Sequence, residues 1–186
     1  MPILYQSGYL TLAKRHPRTG NFTLRFPNEE VERGFFQMLL PLYVNKHEAK
    51  RTDTLLDRLL TGLDEGRPDD CMVVIQALLA DVPYEKSEPG EIYFRNLLFI
   101  IFRLIGLYCE VEHPMAGGRS DMMIKTDQYI YVLELKVDQS AGAALLQIED
   151  KGYAAPYAAD KRRLFKIGVN FSGKEKRINE WRVAEA

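Results

Sequence analysis

From Tyr129 to Val137 the chain alternates. Tyr129, Tyr131, Leu133, Leu135 and Val137 fall on one face of an extended strand, and Ile130, Val132, Glu134 and Lys136 on the other. Both faces begin apolar, as expected of a strand covered on both sides of a sheet. Before it, Gly117 and Gly118 mark a tight turn, Asp121 to Thr126 reads extended, and Asp127-Gln128 supplies polar turn residues, so the pattern predicts a β-hairpin. Upstream, GEIYFRNLLFIIFRLIGLY reads as a core helix of about eighteen residues, interrupted by Glu91, Arg95 and Arg103 and so not a membrane span. Tyr108 to Glu112 then reads as a strand and His113-Pro114 as a turn rather than a ligand pair. Downstream, a polar helix carries Gln147 and Lys151, Leu164 to Phe171 is a strand, Ser172 to Lys174 a turn, and Ile178 to Val183 the last strand.

The first eighty residues differ. Gly8 to Ala13 and Asn21 to Phe26 read as a hairpin about the turn Pro17 to Gly20. Asn28 is placed to cap a helix with Glu29, Glu30 and Glu32 in its first turn and Val31, Phe35, Met38, Leu39 and Leu42 at helical spacing. Two further helices read through Thr54 to Leu63 and Asp69 to Leu79, with apolar stripes best taken as packing. The architecture predicted is α/β: a mixed central sheet flanked by helices, with an N-terminal β-hairpin and a helical segment. Residues 1–27 form the hairpin, 28–84 a helical connector and 85–186 the α/β core.

A carboxylate and an ammonium on the inner face of a covered strand need partners, because burying either alone costs several kcal/mol or neutralises it. Glu134 and Lys136 project to the same side, about 6 to 7 Å apart at the backbone. Pairing across the hairpin brings Asp121 roughly opposite Glu134, where side chains lie about 5 Å apart. Like charges tolerate that badly without a cation between them, and a divalent metal ion resolves the conflict.

Composition bounds the rest. With 46% hydrophobic and 27% charged residues, the 186-residue chain can bury one substantial core or one core plus a small appendage. The start MPILYQSGYLTLAKRH lacks the features of a signal peptide, so a cytoplasmic location is expected. Cys71 and Cys109 lie far apart without CxxC spacing and read as buried thiols. No G-x-x-x-x-G-K-[ST] occurs, so no P-loop binds ATP here. The net charge of −1 argues against a generally nucleic-acid-binding surface, yet between Lys151 and Arg182 nine basic residues outnumber three acids. A solvated face is the ordinary meaning of such a run, and phosphate contact is the functional one.

The residues GRSD and ELK, within a helix, a three-stranded meander, a second helix and a further strand, resemble the PD-(D/E)XK nuclease superfamily over roughly Glu88 to Glu185. Ser120 stands where a proline is usual. YQSGYLTL, FPNEEV and YIYVLELKVDQSAGAALLQIEDKGYA are similar to the bacterial branch in which this module follows an AAA-ATPase-like domain. The resemblance implies a restriction-endonuclease-like core and metal-dependent hydrolysis of phosphodiester bonds in nucleic acid, DNA foremost. It implies that Asp121, Glu134 and the backbone carbonyl of Leu135 hold Mg²⁺ or Mn²⁺, both hard ions that favour oxygen ligands, with Glu91 as a further acid. Lys136 is implied as the positioning or charge-stabilising cation and Gln147 as orienting water or phosphate. Lys151, Tyr153, Lys161, Arg162 and Arg163 are implied as nucleic-acid contacts. The hairpin is expected to finish an upstream ATPase-like domain, so the chain is expected to begin inside a longer protein. Two other functions remain open: a non-catalytic module of the same fold that binds protein or nucleic acid, and a metal-dependent phosphatase or nucleotide hydrolase.

Overall fold

A five-stranded mixed sheet organises the protein. Its computed structural model describes residues 2–39, 49–80, 90–105, 108–115 and 118–186. Strands β3 (Tyr108–Met115), β4 (Gly118–Lys125) and β5 (Tyr129–Val137) form an antiparallel meander. Helix α6 (Ala141–Asp150) then returns the chain to β6 (Arg163–Ser172), which lies parallel to β5, and β7 (Arg177–Glu185) closes the sheet antiparallel to β6. The spatial order is therefore β3-β4-β5-β6-β7. A separate two-stranded hairpin, β1 (Thr11–Arg15) and β2 (Phe22–Arg25), follows the short helix α1 (Pro2–Gln6).

The alternation of β5 decides what covers each face. Tyr131, Leu133 and Leu135 enter the main core with Leu59, Leu63, Met72, Ile75 and Leu79 of helices α3 (Ala49–Asp64) and α4 (Pro68–Ala80), and with Phe94, Leu97, Leu98 and Ile101 of helix α5 (Glu91–Leu104). Tyr131 is fully buried, and its hydroxyl donates to the Leu63 carbonyl oxygen at 2.6 Å, so a polar tip inside the core is satisfied. On the other face Ile130 and Val132 join Met123, Leu164, Ile148 and Tyr153 in a smaller cluster beneath α6. The helical segment thus covers the sheet rather than standing apart from it.

Helix α2 (Glu29–Leu39) starts where the sequence places it, with the Asn28 side chain accepting the Val31 N–H at 2.8 Å. It docks on α5 through Phe36 and Ile100, and Glu32 pairs with Arg103. Several expectations need correction. His113 and Pro114 lie inside β3, paired with Ser120 and Arg119, and not in a turn. Helix α5 spans 14 residues and stops at Leu104, short of the eighteen expected. The first hairpin strand sits later than expected, since Gly8 precedes β1 with φ of 82° and belongs to the turn after α1, whereas β2 falls within the expected Asn21 to Phe26. Gly117 and Leu42 lie outside the described residues. No described helix is long and apolar enough to cross a membrane.

Candidate active site

The β4–β5 register runs from Met122 opposite Leu133 to Lys125 opposite Ile130, and one further step puts Asp121 across from Glu134. At that step the two acids take over the work of the backbone ladder. Asp121 Oδ2 accepts the Leu135 N–H at 2.9 Å, and Glu134 Oε2 accepts the Asp121 N–H at 3.4 Å. Each carboxylate is therefore fixed on the other's strand.

Glu134 is 2% exposed, although it is a carboxylate on an otherwise apolar face. Three groups meet it there. The Lys136 ammonium lies 3.5 Å from Oε1, and the Gln147 side-chain amide of α6 donates to the same oxygen. Asp121 supplies a second negative charge. Burial first, and then the Asp121 charge, push the Glu134 carboxyl up to about 7, while Lys136 opposes the shift. Lys136 alone does not balance the two carboxylates, and the second positive charge comes from Arg95 of α5, which lies against Asp121. Two fixed carboxylates form a hard oxygen donor set, which fits Mg²⁺ or Mn²⁺. Among the described residues no cluster of three or more His, Cys, Asp or Glu side chains forms, so the remaining ligands would be backbone carbonyl, water or phosphate oxygens.

Gln147 reaches Glu134 because α6 sits unusually close to the sheet. Glu134 is in register with Gly168 of β6, and a Cβ built on Gly168 would lie 2.3 Å from the Ala141 carbonyl oxygen and 2.6 Å from the Leu145 nitrogen. Only a glycine lets the helix backbone settle there. Ser140 begins α6 by accepting the Ala143 N–H at 3.0 Å.

One residue of the site was not legible in the sequence. Arg95 of α5, a helix whose apolar side chains pack on the opposite face, places Nη1 3.2 Å from Asp121 Oδ1. Its side chain is 14% exposed. The pair spans 26 positions and no local spacing announces it. Its only sequence trace is a cation inside an apolar helix.

Other candidates fall elsewhere. Glu91 stands half-buried in the first turn of α5, one turn before Arg95, and does not join Asp121 and Glu134 in an acidic cluster. Tyr153, expected to face nucleic acid, is 2% exposed and belongs to the smaller core. The cause is the end of α6: Gly152 has φ of 62°, its N–H donates to the Glu149 oxygen, and the Tyr153 N–H donates to the Ile148 oxygen. This left-handed cap turns the residue after the glycine back against the helix, so Tyr153 packs on Ile148.

The basic run is also largely spoken for. Arg162 pairs with Asp160 at 2.7 Å, Arg163 with Glu185 at 2.6 Å, Lys166 with Glu149 at 2.5 Å, Arg177 with Glu175 at 2.6 Å and Arg182 with Glu180 at 3.1 Å. Arg163 is in register with Tyr129, five residues before the Gly168–Glu134 step, which is roughly 16 Å back along the strand. Lys161 to Arg163 therefore do not adjoin the acids. Lys151 and Lys161 are exposed.

A family model described as the PD-(D/E)XK nuclease superfamily matches residues 89–181, half of the chain. An uncharacterized protein from the vnfD 5′ region of Azotobacter chroococcum mcd 1 is 30% identical over 181 residues, covering 91% of this chain and 34% of that protein. The chain thus spans about a third of the length of that curated relative.

Proposed function

Because the chain belongs to the PD-(D/E)XK nuclease superfamily, we propose that it is a divalent-metal-dependent nuclease that hydrolyses phosphodiester bonds of DNA at Asp121, Glu134 and Lys136. The observation that carries this reading is the mutual fixing of Asp121 and Glu134 beside a lysine on a face otherwise apolar. Replacing a buried charge cluster of that kind by apolar residues is often neutral or stabilising, so its presence suits chemistry rather than packing.

Asp121, Glu134 and the carbonyl of Leu135 would hold the cation. The Leu135 N–H points toward Asp121, and in an extended strand the carbonyl of the same residue leaves on the same side. Mg²⁺ or Mn²⁺ bound there supplies Lewis acidity toward phosphate and makes water more acidic. Lys136 holds a fixed positive charge next to Glu134, where negative charge gathers on the phosphate as the bond breaks. Gln147 locks the Glu134 carboxylate in one orientation and offers an amide beside it to water or a phosphate oxygen. Exposed Lys151, one helical turn beyond Gln147, and exposed Lys161 are basic groups placed to meet the nucleic-acid backbone.

The remaining proposals concern the rest of the protein. We take residues 1–27 as the end of an upstream AAA-ATPase-like domain, 28–84 as the connector and 85–186 as the nuclease core. Ile3, Tyr5, Leu12 and Phe22 are all exposed on α1 and the hairpin, and the chain spans only a third of its Azotobacter relative. Both observations suit a segment that normally leans on further chain.

Labelled duplex and single-stranded DNA, RNA and mononucleotides, incubated with the protein in Mg²⁺, Mn²⁺ or EDTA, test the function. Cleavage of DNA that needs the metal, and that falls at least about a hundredfold in Glu134→Ala and Lys136→Ala, is expected. Equal cleavage by wild type and both variants, or release of phosphate from mononucleotides alone, would overturn it.

A further inference from the structure

The two oxygens of Asp121 are held differently. Oδ2 accepts a backbone N–H of the neighbouring strand, whereas Oδ1 is held by the Arg95 guanidinium at 3.2 Å. Oδ1 is the oxygen open to exchange, because a backbone bond in the sheet cannot leave without breaking the ladder and a side chain can turn aside. Arg95 is anchored for such a turn: its neighbours Phe94, Leu97 and Leu98 are fully buried, so the helix stays put while the long side chain moves. A guanidinium and a divalent cation cannot share one carboxylate oxygen without strong repulsion. The planar fork that grips a carboxylate matches a phosphate equally well.

We infer that Arg95 is an exchangeable occupant of the cation seat: it neutralises Asp121 before metal arrives, yields when a divalent cation binds, and turns to a phosphate oxygen of the nucleic acid. Metal binding and phosphate binding are then coupled through one side chain, and Arg95 is a positioning residue for both. The inference rests on the nuclease reading above and adds to it a residue outside the acidic and lysine motif.

Mn²⁺ binding, read from the electron paramagnetic resonance signal of the free ion without nucleic acid present, tests the first half in wild type, Arg95→Met, Arg95→Lys and Asp121→Asn. Arg95→Met keeps the apolar stem and removes the charge. It is expected to bind Mn²⁺ about tenfold more tightly than wild type, Arg95→Lys to fall between, and Asp121→Asn to lose the ion. Binding of a short duplex oligonucleotide in Ca²⁺, followed by fluorescence anisotropy, tests the second half, and Arg95→Met is expected to weaken it about tenfold. Unchanged or weaker Mn²⁺ binding in Arg95→Met, or unchanged oligonucleotide binding, overturns the inference while an Asp121-dependent ion in wild type leaves the nuclease reading standing. If Arg95→Met does not fold, Arg95→Lys with wild-type Mn²⁺ affinity overturns it as well. Absence of Mn²⁺ binding in every folded form overturns both.

Discussion

Glu134 is the residue with most at stake. Its folded carboxyl sits near 7 against an ordinary 4.5, because burial and the Asp121 charge both disfavour ionisation. For a carboxyl raised on folding, the folded state holds its proton more tightly than the unfolded chain. The group's contribution to stability is therefore complete below about pH 4.5 and is lost as pH rises through about 7. In EDTA, urea unfolding of wild type is expected to show stability falling across this window, and Glu134→Gln to flatten the fall. At pH 8 the variant should be the more stable protein, by about 3 kcal/mol at most, while losing Mn²⁺ binding. A less stable Glu134→Gln at pH 8 would mean that the carboxylate is better compensated than this geometry implies. Tyr153 makes the opposite case, a residue that looks like a ligand and acts as core. Tyr153→Ala is expected to cost roughly 3 to 5 kcal/mol in urea titration, with no change in oligonucleotide affinity of the folded protein. Cys71 is equally internal, and burial pushes its thiol up to about 12, so it should react slowly with thiol reagents in the native state.

At the scale of elements, the contact of α6 with β6 sets the site. The helix carries Gln147, and Gly168 sets how closely that helix lies on the sheet beside Glu134. Gly168→Ala must push against the Ala141 carbonyl and the Leu145 nitrogen, both backbone atoms that cannot rotate away. The variant is expected to lose about 1 to 3 kcal/mol of stability through overpacking and, in the fraction that folds, to lower cleavage more than Gln147→Ala does, since it displaces the whole element. Thermal melting and single-turnover cleavage together check this. Equal stability and rate to wild type would mean that α6 has room to spare. The beginning of α2 was legible because caps are local: the short polar side chain of Asn28 meets an orphan N–H group there, as the structure shows Ser140 doing at α6. The end of α6 carries a readable signal too, a glycine followed by a tyrosine, but a tyrosine just beyond a polar helix reads equally well as a nucleic-acid contact.

For the whole molecule, charge is distributed in pairs rather than as a field. At least five of the nine basic residues between Lys151 and Arg182 engage an acid, and four of those acids (Asp160, Glu175, Glu180 and Glu185) lie within the same C-terminal stretch of chain. Arg163 is more than half exposed, so its pair with Glu185 adds little stability. It still diverts the guanidinium from phosphate. The salt dependence of oligonucleotide binding is accordingly expected to lose about one unit of slope for each of Lys151→Ala and Lys161→Ala, and to keep its slope in Arg163→Ala. A reduced slope in Arg163→Ala alone would restore the basic run as a nucleic-acid surface. The two-sided covering of the sheet follows from β5, whose apolar faces require α3, α4 and α5 on one side and α6 on the other.

The sequence by itself determined the class of fold, the hairpin register that sets Asp121 against Glu134, and the placement of Lys136 beside them, because periodicity, turns and strand pairing over short separations are local properties of the chain. It placed Gln147 on the right helix. Only the tertiary structure decided that Gln147 touches Glu134, that Arg95 holds Asp121, that Tyr153 is internal and that Arg162 and Arg163 are paired away from the acids. Those facts depend on how elements far apart in sequence approach one another, at Gly168 beneath α6 and at the side chain α5 extends to β4. Packing distances of that kind are fixed by the assembled core and leave no spacing to read.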